Sequence, residues 1–134
     1  MTLLRRQLRV LIADDTAIVR TVVTRILRSD ERFDVVGEAT NGREAVEHAT
    51  AMHPDLVLLD LAMPEMDGLE ALPLIRQISP APNVIVLSAF SPDQMAAAAI
   101  DAGALAYLEK NQLATKLIPR ILEAFEDALL DAQA

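Results

Sequence analysis

An unbroken apolar run that stops at an acid is the feature that most constrains this fold. The run extends from Leu56 to Leu59, and Asp60 follows it directly. Continuous apolar residues over this length predict a strand covered on both faces, which is typical of parallel sheets. Because an unpaired buried charge is costly, we expect Asp60 at the carboxyl end of that strand, where open α/β sheets bind their ligands. A second apolar run, residues 8–13, stops at Asp14 and Asp15, so the sequence predicts three carboxylates at one sheet edge, suited to a hard cation.

The composition favours one domain and excludes several classes of function. We expect a single domain over residues 1–134, with its core at about 9–125 and a leader at 1–7. No apolar run approaches the roughly 18 residues of a membrane span, and no signal peptide is recognisable. A net charge of -8 and 3% aromatic residues argue against direct nucleic-acid binding. The absence of cysteine excludes disulfides and thiolate metal sites and fits a cytoplasmic location.

Strand-like and helix-like segments alternate along the chain. Strands are predicted at residues 8–13, 33–39, 55–60, 83–88 and 104–108, and helices at residues 16–27, after Asn41, after Asp67, from Ser91 to 102 and from 113 to about 130. Three helix starts carry capping-box pairs, which are Asn41 with Glu44, Asp67 with Glu70 and Ser91 with Gln94. The alternation predicts an α/β fold, a doubly wound parallel sheet of five strands with five helices. The flavodoxin-like order 2-1-3-4-5 is expected, because it places strands one and three side by side.

Two prolines conflict with the predicted helices. Pro73 and Pro119 each fall well inside a helical segment. An interior proline costs about 3 kcal/mol and one backbone hydrogen bond. We therefore expect either that these two helices begin later than their patterns indicate or that both are kinked.

With these motifs in this order, the chain resembles the receiver domain of two-component response regulators, also called CheY-like. The resemblance covers about residues 9 to 125. It rests on the acid pair Asp14–Asp15, on Asp60 with the Met-Pro-x-Met-Asp-Gly string at residues 63–68, on Ser88 at the end of strand four, and on Lys110 with Tyr107 at strand five.

The resemblance implies a phosphorylated aspartate beside a metal ion. Asp60 would be the phosphoacceptor, and the donor would be a sensor histidine kinase or a phosphotransfer protein. Mg²⁺ would be bound directly by Asp15 and Asp60, mainly through water by Asp14, and by the backbone carbonyl of Ala62. Apart from catalysing its own phosphorylation and dephosphorylation, the domain is not expected to be an enzyme.

The resemblance also implies a conformational switch. Ser88 and Lys110 would contact the phosphoryl oxygens, and Tyr107 would turn inward when Ser88 moves toward the phosphoryl group. The output surface would be the fourth helix, fifth strand and fifth helix, which would bind an output domain or protein or form a homodimer. Many receivers have a proline after the lysine, with a cis peptide bond there. This chain has Asn111 instead, so the direction in which the Lys110 side chain points stays open.

Two other functions stay open, and so does the question of whether the domain belongs to a longer protein. A degenerate receiver would bind partners constitutively, and the intact acids, Ser88 and Lys110 count against it. A Mg²⁺-dependent hydrolase of the haloacid dehalogenase type would need a second aspartate at position 62, where this chain has alanine. The domain is either a stand-alone receiver or part of a longer regulator.

Overall fold

Five parallel strands form one sheet in the predicted order β2-β1-β3-β4-β5. The structure is a computed structural model that describes residues 7–133, with side chains for residues 7–126. The expected leader at 1–7 therefore lies outside the described residues except for Gln7. The strands are β1 (Leu8–Ala13), β2 (Phe33–Ala39), β3 (Leu56–Asp60), β4 (Asn83–Ser88) and β5 (Ala106–Glu109). Every residue of β3 is buried, which confirms the reading of its apolar run.

Helices cover both faces of the sheet and divide the core in two. They are α1 (Ala17–Arg28), α2 (Gly42–Met52), α3 (Gly68–Arg76), α4 (Pro92–Asp101) and α5 (Leu113–Gln133). Alternate strand residues point to opposite faces, so that Val57 and Leu59 pack under α2, α3 and α4, whereas Leu56 and Leu58 pack under α1 and α5. Within the described part of the chain, no helix has the length and apolar character needed to span a bilayer.

Strand five begins two residues later than predicted, because the end of α4 uses the intervening residues. Gly103 has a φ of 116° and donates its amide to Ile100 O at 3.0 Å. The Ala104 amide donates to Ala99 O, also at 3.0 Å. These two bonds form a Schellman motif, which satisfies the last carbonyls of the helix. Ala104 thus belongs to the helix cap, and the predicted start of the strand there is wrong.

The predicted capping boxes are largely confirmed. Asp67 accepts the Glu70 amide at 2.8 Å, and the Glu70 carboxylate accepts the Asp67 amide at 3.4 Å. At α2, Asn41 Oδ1 accepts the Glu44 amide at 2.8 Å, but the Glu44 carboxylate accepts the amide and hydroxyl of Thr40 rather than the Asn41 amide. The predicted bond from the Asn41 amide to Glu44 is therefore wrong, because Glu44 binds the residue before Asn41 instead.

Both prolines lie inside helices. Pro73 is the sixth residue of α3 and Pro119 the seventh of α5. The alternative in which these helices begin later is therefore wrong, and the kink stays a prediction.

Gly68 is the residue that lets α3 begin directly under the end of β3. Its amide donates to Leu61 O at 2.9 Å, and a Cβ at this position would lie 2.2 Å from the backbone oxygen of Asp60. The loop between β3 and α3, residues 61–67, is thereby folded back on the strand that carries Asp60. This close approach leaves no room for a side chain.

Gly68→Ala is expected to destabilise the fold by about 2 kcal/mol or more, because the new methyl group must displace backbone. Gly37→Ala is the matched control, since a Cβ there would meet the flexible end of Met52 at 2.9 Å. Urea unfolding monitored by circular dichroism measures both changes. Equal losses of stability in the two variants would contradict the proposed backbone contact.

Candidate functional site

Three carboxylates converge where β1 and β3 end. These strands are neighbours, with Ala13 paired to Leu59, so the residues that follow them meet at one edge. One oxygen each of Asp14, Asp15 and Asp60 lies within 4.8 Å of the others. Asp14 and Asp60 are buried, at 1% and 3% exposure, whereas Asp15 is exposed. A compact set of carboxylate oxygens open to solvent on one side suits a hard divalent cation such as Mg²⁺.

The two members of the acid pair differ in how firmly they are held. Asp14 Oδ1 accepts the Thr16 amide at 2.8 Å, and its Oδ2 lies 2.7 Å from Lys110 Nζ. Asp15 makes a long contact of 3.5 Å with the Thr16 hydroxyl. Because both oxygens of Asp14 are engaged, Asp15 is the acid of the pair better placed to coordinate a cation directly. This difference supports the roles that the family resemblance implies.

Lys110 joins the two buried carboxylates. It follows β5 in a short 3₁₀ turn, Lys110–Gln112, and its Nζ lies 2.7 Å from Asp14 Oδ2 and 3.2 Å from Asp60 Oδ1. Burial acts to lower the pKa of Lys110, but the hydrogen bonds and charges of Asp14 and Asp60 outweigh it and raise the pKa. Among residues 7–133 the cis peptide bond is Ser79–Pro80, so the peptide before Asn111 is trans. Lys110 therefore reaches the acids without a cis bond.

Asp60 holds its proton more tightly than an ordinary aspartate. Burial is the main cause, and the nearby charge of Asp14 adds to it. Lys110 and the Ala62 amide, which is 3.3 Å from Oδ1, act in the opposite direction. The net effect raises the pKa of Asp60 to about 6. At neutral pH the group is mostly ionised, in a site that still carries excess negative charge.

The backbone of Phe90 connects Ser88 to Tyr107. Ser88 is buried at the end of β4, and its hydroxyl oxygen accepts the Phe90 amide at 3.0 Å. The Tyr107 hydroxyl donates to the Phe90 carbonyl at 2.8 Å, and Tyr107 is 6% exposed. The side chain is thus already inward, whereas we expected it to turn inward only after phosphorylation. The Phe90 carbonyl stabilises this position, because it satisfies the hydroxyl group that burial would otherwise leave unpaired.

Three side-chain hydrogen bonds at the site's periphery could not be found from sequence patterns. Arg20, on α1, donates to the backbone carbonyl of Asp14 at 2.8 Å and to the Glu38 carboxylate at 2.9 Å. Asn41 donates to the Glu65 carboxylate at 2.9 Å across the space between α2 and the loop after β3. The bonds to Glu38 and Glu65 join residues 18 and 24 positions apart. None of the three has a spacing that predicts it.

An open cleft of about 430 Å³ lies between the loops that follow β3 and β4. Its lining is mainly apolar and consists of Leu61, Ala62, Met63, Asp67, Leu69, Phe90 and Met95. Ala62 is exposed, and its short side chain lines the cleft two residues after Asp60.

The fold and this acidic site are those of a response regulator receiver domain, and the chain belongs to that family. The family model described as response regulator receiver domain matches residues 10–122. The chain is therefore a receiver domain of two-component signal transduction.

Relatives with different names contain sequences similar to this chain. The chain is 46% identical over 113 residues to the transcriptional regulatory protein PdtaR of Mycobacterium tuberculosis, covering 84% of this chain and 54% of the relative. It thus spans about half the length of that protein. It is 44% identical over 121 residues to the chemotaxis protein CheY of Listeria monocytogenes, covering 90% of this chain and 98% of the relative.

A solved structure agrees with the fold. The response regulator domain of Thermotoga maritima CheB superposes with a TM-score of 0.83 at 33% identity, covering 90% of this chain and 98% of that chain. This similarity confirms the predicted five-stranded, doubly wound architecture.

Asp60→Asn is expected to stabilise the metal-free protein at neutral pH but not at acidic pH. The folded-state pKa of about 6 lies above the unfolded value of about 3.9, so wild-type stability falls as pH rises through that interval. The variant has no carboxyl group to ionise there. We expect it to be more stable by about 1–2 kcal/mol at pH 7.5, with the difference vanishing near pH 4.

Urea unfolding in the presence of chelator, repeated from pH 4 to pH 8, measures this difference. A stability difference that stays constant over the range would show that ionisation of Asp60 does not strain the fold.

Proposed function

We propose that Asp60 accepts a phosphoryl group from the phosphohistidine of a sensor kinase or a phosphotransfer protein. The observation that carries this proposal is the meeting of three carboxylates within 4.8 Å at the ends of β1 and β3, two of them ion-paired with Lys110. Membership of the receiver family supports the same role for the aspartate at the end of strand three.

Asp60 is suited to act as the nucleophile. One of its oxygens would attack phosphorus while the bond from phosphorus to the histidine nitrogen breaks, and the electron pair of that bond stays on the imidazole. With a pKa of about 6, Asp60 is mainly a carboxylate at neutral pH. Lys110, whose pKa is raised, stays charged at 3.2 Å from Asp60 Oδ1, next to the negative charge that develops on the transferred group.

The acidic cluster has the ligand chemistry for Mg²⁺. Asp15, Asp60 and the backbone carbonyl of Ala62 would bind the ion directly, and Asp14 mainly through water. When bound, Mg²⁺ supplies positive charge that offsets the crowded oxygens of the carboxylates and the phosphoryl group. Asp14 stabilises this arrangement, because one of its oxygens accepts the Thr16 amide and the other is ion-paired with Lys110.

Phosphorylation would be transmitted to Tyr107 through the backbone amide and carbonyl of Phe90. A phosphoryl group on Asp60 offers strong acceptor oxygens to the Ser88 hydroxyl. Movement of Ser88 toward them would remove the acceptor of the Phe90 amide, and the carbonyl of the same residue holds Tyr107. Because Tyr107 is already inward, the expected change is in how firmly it is held.

The output surface would comprise α4, β5 and α5. Phe90, just before α4, and Ile100, within it, are 44% and 47% exposed and offer apolar contact area there. The partner would be an output domain or protein, or a second copy of the chain. Any activity of a longer regulator would depend on that partner.

Incubation with acetyl phosphate and Mg²⁺ is expected to add one phosphoryl group to the wild-type protein, because a small donor can replace the kinase at a self-catalysing site. Intact-protein mass spectrometry measures the product. Asp60→Asn and chelator should each abolish it, and Asp15→Asn should reduce it.

Continued turnover of many phosphate esters would favour the hydrolase instead. Absence of any adduct, with a partner bound regardless of phosphate donor, would favour a degenerate receiver.

A non-covalent phosphoryl mimic is expected to shift the amide resonance of Phe90 and the ring resonances of Tyr107, since both are coupled to Ser88. Two-dimensional NMR of the Mg²⁺-loaded protein, with and without the mimic, measures the shifts. Ser88→Ala is the matched control and should reduce both. Unchanged Phe90 and Tyr107 resonances in the wild-type protein would exclude this route.

A further inference from the structure

A buried amide outside the acidic cluster joins two segments of the site. Asn41 lies between β2 and α2 and is 9% exposed. Its Oδ1 accepts the Glu44 amide at 2.8 Å, which caps α2, and its Nδ2 donates to Glu65 Oε2 at 2.9 Å. Capping requires the oxygen alone, so the bond to Glu65 is an interaction that the helix itself does not need.

Glu65 occupies the middle of the loop after β3 in an unusual backbone conformation. Its φ is 64°, in the left-handed region that non-glycine residues disfavour. The Met66 amide donates to Pro64 O at 2.7 Å across it, which closes a three-residue turn. Arg43, in the first turn of α2, pairs with the second carboxylate oxygen of Glu65. Glycine would remove the backbone cost, whereas glutamate provides the carboxylate to which Asn41 and Arg43 bind.

Backbone contacts bring the same two segments close together. The Gly42 amide donates to Met66 O at 2.8 Å, and a Cβ on Gly42 would lie 2.1 Å from that oxygen. At the end of β2, just before Asn41 in the chain, Ala39 O accepts the Asp14 amide at 3.0 Å. A continuous set of contacts therefore runs from Asp14, through residues 39–43, to the loop that carries Ala62.

We infer that Asn41 and Glu65 together are positioning residues for the cation site. This pair, the loop latch, holds residues 61–67 against α2, so that the Ala62 carbonyl and Asp60 keep their places relative to the acid pair after β1. The inference rests on the proposed function, in which those groups bind Mg²⁺. A loop that is fixed before binding loses less freedom when the ion binds, so the latch strengthens Mg²⁺ affinity.

Asn41→Asp tests the latch while keeping the helix cap, because aspartate caps helices as well as asparagine does. The new carboxylate at position 41 faces Glu65 and cannot donate to it. We expect the dissociation constant for Mg²⁺, measured by isothermal titration calorimetry on the full chain, to rise about three- to tenfold. An added negative charge near a cation site would by itself strengthen binding, so weaker binding reports the displaced loop.

Combining Asn41→Asp with Glu65→Gln reverses the donor and the acceptor. The new amide at position 65 can donate to the new carboxylate at position 41, and the net charge returns to that of the wild type. Mg²⁺ affinity should recover to within about twofold of the wild-type value. Glu47→Gln, on the exposed side of α2, is the control for removing one carboxylate outside the latch and should leave affinity within about twofold.

Amide hydrogen exchange in the metal-free protein gives a second readout. The Gly42 and Gly68 amides should exchange faster in Asn41→Asp and return to wild-type rates in the double variant, because both bond to residues of the loop. An unchanged Mg²⁺ dissociation constant in Asn41→Asp, or no recovery in the double variant, would overturn the latch.

The Mg²⁺ affinities of other variants distinguish failure of the proposed function from failure of the latch alone. If the wild-type protein does not bind Mg²⁺, or if Asp15→Asn and Asp60→Asn bind it as tightly as the wild type, both the cation site and the latch are rejected. If binding depends on Asp15 and Asp60 but not on Asn41, the latch alone is rejected.

Discussion

The ammonium group of Lys110 lies between two buried carboxylates, Asp14 just after β1 and Asp60 at the end of the neighbouring β3, and the acidic site depends on this arrangement. Its Nζ is 2.7 Å from Asp14 Oδ2 and 3.2 Å from Asp60 Oδ1. Buried acids this close repel each other strongly, and without the lysine they would favour protonation over a second charge. The neutralisation is incomplete, since the pKa of Asp60 remains raised to about 6. The residual negative charge suits the cluster to the divalent cation proposed for it.

The order of the strands brings these groups together. β3 lies between β1 and β4, so the residues that follow three strands face one region of the sheet edge. The loop after β3 then folds back, because Gly68 allows α3 to begin against the backbone of Asp60 and Gly42 allows α2 to approach Met66. Two positions without side chains thus fix the loop from both sides. Besides Lys110 and the bonds of Glu65, the geometry of the acids thus depends on close backbone packing at two glycines.

Sequence patterns predicted the sheet, the acidic cluster and most helix caps, because those signals are local. An apolar run ending in Asp60, or a pair such as Asp67 and Glu70, is readable within a few residues. The interactions that sequence reasoning missed depend on docking between distant segments. Asn41 and Glu65 are 24 residues apart, and the inward position of Tyr107 depends on a carbonyl 17 residues away. The start of β5 was misplaced because the end of α4 needs Ala104 for its own hydrogen bonds.

The contact between α2 and the loop after β3 also has a consequence for the chemical durability of the chain. Asparagine followed by glycine is prone to deamidation, because the unhindered glycine nitrogen can attack the side-chain amide and close a succinimide ring. Here the Gly42 nitrogen donates to Met66 O, and both ends of the Asn41 amide are held by hydrogen bonds. Neither reacting group is free to rotate toward the other. The folded domain therefore protects a dipeptide that would degrade readily in the unfolded chain.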